Sequence, residues 1–474
     1  MNKTKQNFFK SSLCYLLGNI LSKVVVVFLL PLYTNYISPE DYGRYDLYVA
    51  FANFFSTVLF CEIWIGTMRF MIEEKEMKQK FSVISSSLTV YFCSVLLYLV
   101  SFSIFNVFMG IRYFPLVLAF GFMLTVQNYY LYAARALGKN VLVAVSGFSS
   151  TCVMVLLNVI FIKGFHMGYS SLFIASICGI LVQAVMLESS VRLIKNVSPS
   201  LIDKTTVRKL VVYCLPYCLN SAAYWFLTGF NSVAVTEWIS PEQNGYYAIA
   251  NKFSVAVNLV GTCFSLAWQE TAFTKSSENS EQGRFYSRAT DLYVKFVFCG
   301  LTVIVPAIGV AFNVLVGSEY SFARRIIPLS LMGAAANLFC IFLGNIFGAI
   351  KKTKYIFVSM VVSCLVNVGL LMLLINHLMA QAAALSLMVG CIVNATIRIL
   401  LLRKLIGLKV NLVRIAIYSL PMILVSLIFF RFGTAVNAVT LAAALAYVCY
   451  MFRNLLKDLI RMIKSKLGGR AVNA

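Results

Sequence analysis

Long runs of apolar residues recur along the whole chain, and each is about as long as a helix that crosses a bilayer. A transmembrane α-helix needs about 20 consecutive apolar residues, and these runs do not alternate as the strands of a membrane β-barrel do. The pattern predicts an all-α polytopic membrane protein with about fourteen transmembrane helices. The predicted spans are 12–36, 44–70, 82–106, 114–134, 141–162, 169–188, 211–237, 246–271, 290–313, 326–349, 355–375, 382–402, 415–430 and 436–452.

The composition supports this class. Of the 474 residues, 60% are hydrophobic and only 12% are charged, whereas about 25% of the residues in soluble domains are charged. The net charge of +23 follows from where the basic residues lie, and it does not indicate a nucleic-acid partner.

The basic residues are divided unequally between the two ends of the predicted helices. Short connections rich in Lys and Arg stay in the cytoplasm, so the connections that follow odd-numbered spans are predicted to lie outside and both termini inside. Only six of the 40 Lys and Arg lie in the predicted outer connections: Arg44, Arg112, Lys163, Arg324, Arg325 and Arg431.

One short motif occurs twice. ISPEDYGRY at 37–45 and ISPEQNGYY at 239–247 each follow an odd-numbered span, and NFFST at 53–57 has a weaker counterpart in NLVGT at 258–262. Spans 1–6 therefore correspond to spans 7–12, which predicts two parallel six-helix lobes plus two appended helices, an arrangement common among transporters. The predicted parts are an N-terminal lobe at 1–190, a cytoplasmic linker at 191–210, a C-terminal lobe at 211–402, two further helices at 403–452 and a basic cytoplasmic tail at 453–474.

The first copy of the motif carries a resemblance. LPLYTNYISPEDYGRYDL resembles the opening signature of Wzx-type bacterial polysaccharide flippases, which belong to the multidrug, oligosaccharidyl-lipid and polysaccharide exporter superfamily. That signature reads L-G-P-x-x-Y-G-x-Y; Pro39, Tyr42, Gly43 and Tyr45 match it, whereas Ile-Ser stands in place of Leu-Gly. The match is to a short motif and leaves the sugar of the substrate undetermined.

The resemblance implies a flippase that moves an undecaprenyl-pyrophosphate-linked oligosaccharide from the inner to the outer leaflet of the cytoplasmic membrane, for O-antigen or capsule synthesis. It implies alternating access as the mechanism and no cofactor. The expected partners are the lipid-linked substrate, membrane lipids and, as further candidates, a polysaccharide polymerase and chain-length proteins.

Such a task requires a polar, preferably cationic, cavity inside the membrane. An unpaired charge is costly in hydrocarbon, so an ionisable residue within a span is a candidate functional residue. Lys23 lies near the middle of the first span with Asn19 four residues before it, and Lys252 flanks a polar stripe of the eighth span. The candidate cavity residues are Lys23, Asn19, Lys252, Asn53, Asn251, Asn258 and Thr262.

Each candidate also has an ordinary structural interpretation. The lysines can reach an interface with their long side chains, and Asn or Thr can serve only to join helices. Glu62 and Arg69 are weaker candidates for gating or proton coupling and can equally form a structural pair. Arg44 can attract an anionic head group at the outer mouth or be a solvated arginine.

Enzymatic motifs are not found. The two histidines are far apart, and no metal-ligand cluster, G-x-S-x-G, phosphate loop or dinucleotide fingerprint occurs in the sequence. The sequence therefore predicts a transporter with no catalytic and no metal site. The alternative functions are a cation-coupled multidrug exporter of the same superfamily and a membrane scaffold, although a scaffold has no need of paired polar stripes.

Overall fold

The computed structural model describes residues 28–274, 282–350, 352 and 354–453, without the side chains of residues 259, 260, 262–274, 282 and 412. This part of the chain is helical and contains no strand. Its main α-helices are α1 Leu30–Tyr36, α2 Pro39–Leu59, α3 Ile63–Glu73, α4 Met77–Met109, α5 Phe114–Ala136, α6 Asn140–Val159, α7 Ser170–Val191, α8 Lys204–Trp238, α9 Pro241–Thr274, α10 Gln282–Leu315, α11 Ile327–Ala349, α12 Lys354–Leu378, α13 Ala380–Ile406, α14 Leu412–Arg431 and α15 Thr434–Met451.

The predicted class, an all-α polytopic membrane protein, is confirmed. Eleven helices in the described part are long and apolar enough to cross a membrane, and α2 with α3 makes a twelfth span. The predicted span 246–271 corresponds to α9, a helix of 34 residues. Most of the predicted span 12–36, and the predicted tail beyond residue 453, lie outside the described residues.

The two Ser-Pro-Glu segments are not connecting loops, as the hydropathy pattern predicted, but the first turns of α2 and α9. The Ser38 hydroxyl accepts a hydrogen bond from the backbone N–H of Asp41 at 3.2 Å, and the Ser240 hydroxyl accepts one from Gln243 at 3.2 Å. A proline suits the first helical position, because the N–H that it lacks would have no partner there. Both copies of the motif are therefore capped helix starts.

The predicted span 44–70 is formed by two helices and not by one continuous helix. The chain breaks between α2 and α3, and the two helices are bent by 45°. Cys61 and Glu62 adopt left-handed backbone angles, with φ of 49° and 48°. Such angles cost a residue other than glycine about 1–3 kcal/mol, so packing must hold them, and the apolar pattern gives no sign of the break.

Helices in the two halves of the chain pack in the same way. In the first half α6 packs on α7, and α5 contacts both α7 and α2. In the second half α12 packs on α13, and α11 contacts both α13 and α9. The last two helices, α14 and α15, pack on α10 instead. The exact boundaries of the two lobes, the linker and the tail stay a prediction.

The segment between α7 and α8 is attached to α4 by hydrogen bonds. The Ser82 hydroxyl donates to the Leu201 carbonyl at 2.7 Å, and the backbone N–H of Asp203 donates to the Ser86 hydroxyl at 2.9 Å. Asp203 is the N-cap of α8, and hydrogen bonds from Thr205 and Thr206 hold the pKa of its carboxyl group well below its usual range. The segment thus fixes where α8 begins.

A buried arginine joins three helices of the second half. Arg398 on α13 is only 3% exposed. Its guanidinium donates to the Ser359 hydroxyl at 2.9 Å, to the Ile356 carbonyl at 3.3 Å and to the Cys340 carbonyl. These acceptors lie on α11 and α12, so the arginine satisfies several polar groups that hydrocarbon would leave without partners.

Candidate functional site

The two copies of the repeated motif touch each other. A β-carbon placed on Gly43 would lie 1.7 Å from the Pro241 carbonyl oxygen, and one placed on Gly245 would lie 2.0 Å from the Pro39 carbonyl oxygen. Asn244 adds a hydrogen bond from its side-chain amide to the Gly43 carbonyl at 2.8 Å. We call this reciprocal packing of α2 and α9 the outer contact, because both helices begin on the side that the charge pattern predicts to be outside.

An acid and a base lie beyond the outer contact, toward the interior of the bundle. The half-buried Asp46 carboxylate accepts a hydrogen bond from the Ser232 hydroxyl of α8 at 2.8 Å. It also accepts one from Asn244, and Lys252 of α9 is close enough to act on it electrostatically. The charge of Lys252 reaches the Tyr45 hydroxyl as well. We call these two residues, an acid of α2 and a base of α9 within electrostatic range of each other, the Asp46–Lys252 pair.

Asp46 was missed by the sequence reasoning. It falls at the start of the predicted span 44–70, next to a predicted outer connection, where an acidic residue is expected to be solvated. The available signal was its position three residues after Gly43 in the repeated motif. The structure shows that α2 is already helical there.

Of the predicted cavity residues, Lys252 takes part in this pair and Asn251 lies next to it in a buried amide network. Asn251 is hydrogen-bonded to the Tyr247 hydroxyl. Asn367 donates to the Asn231 side-chain carbonyl at 2.9 Å, and Asn231 donates to the Ala383 carbonyl at 3.0 Å. Asn251 thus lies beside a network that joins α8, α12 and α13.

A shared cavity for the other predicted cavity residues stays a prediction. Asn53 is exposed on α2, and its amide donates to the Val49 carbonyl of its own helix at 2.8 Å. Asn258 is half-buried on α9. Thr262 lies on α9 without a described side chain, and Lys23 and Asn19 lie outside the described residues.

Glu62 lies at the break between α2 and α3 and faces α8. The Ser221 hydroxyl donates a hydrogen bond to its carboxylate. Nearby, the Cys218 thiol contacts the Val58 carbonyl at 3.2 Å, and the Trp225 indole donates to the Ala50 carbonyl at 2.8 Å. The broken helix is therefore fastened along its length to α8, the helix that follows the linker.

The two candidate arginines are paired with acids of their own helices. Arg69 lies 2.9 Å from Glu73, so the structural pair with Glu62 that the spacing allowed is not formed. Arg44 lies 2.8 Å from Glu40 in the first turn of α2. Both pairs are exposed, and exposed pairs contribute about 0–1 kcal/mol to stability.

The fold matches known membrane transport proteins. It superposes on lipid II flippase MurJ in an inward closed conformation with a TM-score of 0.70 and 15% identity, covering 93% of this chain and 99% of that one. An inward-facing multidrug resistance MATE family transporter of the MOP superfamily gives 0.62 at 15% identity, with 83% and 94% covered. An outward-facing transporter of that description gives 0.54 at 16% identity, with 84% and 94% covered. At such identities the likeness shows the fold alone.

The described helices define a multi-pass helical membrane protein whose fold is that of the MurJ and MATE structures. Residues 6–268 match the family described as polysaccharide biosynthesis protein. The chain belongs to that family, which confirms the resemblance seen in LPLYTNYISPEDYGRYDL. No curated protein matches the chain.

Proposed function

We propose that the protein is a flippase for undecaprenyl-pyrophosphate-linked oligosaccharides, which it moves from the inner to the outer leaflet of a bacterial cytoplasmic membrane for O-antigen or capsule synthesis. It performs no covalent chemistry and uses alternating access between its two six-helix lobes. The observation that carries the proposal is the outer contact, with the Asp46–Lys252 pair beyond it, between equivalent helices of the two halves.

The outer contact suits a transporter in a state closed to the outside. Gly43 and Gly245 bring the helix backbones together at one end, so a relative rotation of the two halves about this end opens or closes the opposite end. Family membership supplies the context of polysaccharide synthesis, and the fold shared with the MurJ flippase supports a lipid-linked substrate.

The pyrophosphate head group requires cations inside the bundle. Lys252 is one such cation, and it lies within electrostatic range of Asp46. Lys23 is the second, together with the amide of Asn19, as the sequence predicts. An anionic head group competes with Asp46 for Lys252, so substrate binding weakens a link between α2 and α9. In this scheme the substrate itself loosens the outer contact.

The membrane potential favours export of such a head group. One charge that crosses 100 mV changes its free energy by about 2.3 kcal/mol, and the bacterial interior is negative. We therefore propose uniport, with the lipid-linked anion moving outward along the potential.

The test is a reconstitution. Proteoliposomes should flip a labelled undecaprenyl-pyrophosphate-linked oligosaccharide, and they should do so faster under an inside-negative potential set with potassium and valinomycin. Lys23→Ala should abolish flipping and Lys23→Arg should retain part of it, whereas Lys404→Ala, a change of an exposed basic residue, should have no effect. Normal flipping by Lys23→Ala at matched protein level would contradict the role of that lysine.

A cation-coupled multidrug exporter is the second candidate function. Two half-buried acids, Asp46 and Glu62, lie in the first half and face α8, where a cation or a cationic drug can bind. A rate that depends on a sodium or proton gradient and not on the potential, with ethidium as a transported substrate, would favour this function over the flippase.

The polysaccharide polymerase and chain-length proteins are proposed partners, since they use the product of the flippase. We propose the bacterial cytoplasmic membrane as the location, with both termini in the cytoplasm. The excess of Lys and Arg in the even-numbered connections and the termini supports this orientation.

A further inference from the structure

A basic cavity lies outside the outer contact and the Asp46–Lys252 pair, at the predicted cytoplasmic end of the second half. It has a volume of about 430 Å³ and lies between α10, the turn after α13 and the start of α14. Binding sites for small molecules have volumes of about 300–1,000 Å³, so the cavity is large enough for a small polar head group.

The cavity is formed by close packing of segments that are distant in sequence. A β-carbon on Gly283 would lie 2.3 Å from the Ile406 carbonyl oxygen, so the first turn of α10 lies against the end of α13. The backbone N–H of Lys409 donates to the Ser287 hydroxyl at 2.8 Å. These contacts hold two basic segments, 284–295 and 403–414, on opposite sides of one space.

The lining carries an excess of positive charge. Arg288, Lys295, Lys409 and Arg414 all line the cavity, against a single acid, Asp291. Asp291 already pairs with Arg414 at 2.5 Å. Three positive charges therefore remain without an acidic counterpart in the lining.

The three remaining cations are available to an anion. Lys295 donates to the Met451 carbonyl at 2.6 Å and lies 4.7 Å from the centre of the Phe452 ring, contacts that orient the ammonium group without neutralising it. The side chains of Arg288 and Lys409 are exposed, and among the described residues neither makes a hydrogen bond or an ion pair. An anionic ligand in the cavity would contact one guanidinium and two ammonium groups.

The surroundings of the cavity are apolar on one side. Leu292, which lines it, is 47% exposed, and Val413 and Ile417 on the adjoining face of α14 are 68% and 55% exposed. On a membrane protein such residues face acyl chains. A ligand with a charged head and an apolar tail can therefore satisfy both parts of this surface at once.

We infer that this cavity binds a phosphate-bearing anion, and that the anion is the head group of an acidic membrane lipid from the cytoplasmic leaflet. Arg288 and Lys409 hold the phosphate from two sides, and Lys295 adds a fixed charge at the base. Basic pockets between transmembrane helices on this side of a membrane are suited to anionic head groups. A bound lipid would join α10 to α14 and so tie the two appended helices to the second lobe.

The test measures lipid binding to the full-length protein by native mass spectrometry, with phosphatidylglycerol as the probe and phosphatidylcholine as the zwitterionic control. The wild type should prefer phosphatidylglycerol at least 10-fold. The double substitution Arg288→Gln/Lys409→Gln should reduce that preference at least fivefold. Arg403→Gln/Lys404→Gln, a matched control on exposed residues outside the lining, should change it less than twofold.

A further substitution separates charge from damage to the fold. Asp291→Asn removes the acid and frees Arg414, so phosphatidylglycerol should bind severalfold more tightly. Equal binding by the wild type and Arg288→Gln/Lys409→Gln, or weaker binding by Asp291→Asn, would overturn the inference. The wild type could also show no preference between the two lipids and lose bound lipid when millimolar inorganic phosphate is added. That result would assign the site to free phosphate and would overturn the proposal of a lipid ligand.

Discussion

Gly43 and the Pro241 carbonyl oxygen are in direct backbone contact, since a β-carbon on Gly43 would lie 1.7 Å from that oxygen. The reciprocal approach of Gly245 to Pro39 shows that the duplicated motif packs against its own copy. The repeat therefore has a structural use, which is to bring the starts of α2 and α9 together without a side chain between them.

Gly43→Ala should separate the outer ends of α2 and α9. The added methyl group has no space, and overpacking of this kind costs about 1–3 kcal/mol. We expect at least a 10-fold loss of flipping, together with faster labelling of a cysteine at Ser232 by an impermeant thiol reagent. Gly369→Ala is the control, because a β-carbon there meets no atom within 4 Å. Unchanged flipping and labelling in Gly43→Ala would show that the outer contact opens without consequence.

The Asp46–Lys252 pair should behave as a coupled unit. Each of Asp46→Asn and Lys252→Gln leaves a half-buried charge without its partner, so each should lower the flipping rate about 10-fold. The double substitution Asp46→Asn/Lys252→Gln should also lower the flipping rate. Expressed as a free energy, its loss should be much smaller than the sum of the losses of the two single substitutions. A double-mutant cycle on initial flipping rates measures this coupling. Strictly additive losses would mean that Lys252 acts on the substrate independently of Asp46.

Cys61 and Cys218 should form a disulfide under mild oxidation. The two thiols are hydrogen-bonded to each other, with one at the α2–α3 break and the other on α8. In a variant that retains only these two cysteines, copper phenanthroline should cross-link them, and flipping should stop if α8 moves relative to the break. Dithiothreitol should restore the rate. Full flipping by the cross-linked protein would show that α8 does not need to move relative to the α2–α3 break during transport.

Arg398→Leu should destabilise the second half. It removes a guanidinium that satisfies acceptors on α11 and α12, and each buried acceptor left without a donor costs about 1–3 kcal/mol. The melting temperature in detergent should fall by several degrees. Arg403→Leu, at an exposed position five residues further along α13, should leave it within one or two degrees. Equal melting temperatures would show that the arginine is replaceable by an apolar residue.

The two motif copies should be accessible from the same side of the membrane. Cysteines at Glu40 and Glu242, equivalent exposed positions in the first turns of α2 and α9, should react with an impermeant reagent in intact spheroplasts. A cysteine at Lys352 should react only after lysis. Labelling of the first two positions from opposite sides would rule out a parallel repeat.

The sequence by itself determined the class of the protein, most of its spans and its family. A bilayer imposes the same length and polarity on every spanning helix, whatever its neighbours are, so hydropathy alone was informative. The repeated Ser-Pro-Glu motif was equally visible, although its role as a helix start was not. Lys252 was selected as a candidate because a lysine is costly within a span.

Only the tertiary structure decided which of these residues meet. The contact of Gly43 with Pro241, the position of Asp46 beside Lys252 and the cavity that gathers Arg288, Lys409 and Arg414 join segments from about 120 to 200 residues apart. Periodicity reports which face of a helix is apolar, and it carries no information on which other helix that face will contact. The break at Glu62 has the same origin, because left-handed backbone angles at residues other than glycine persist only where the surrounding packing holds them.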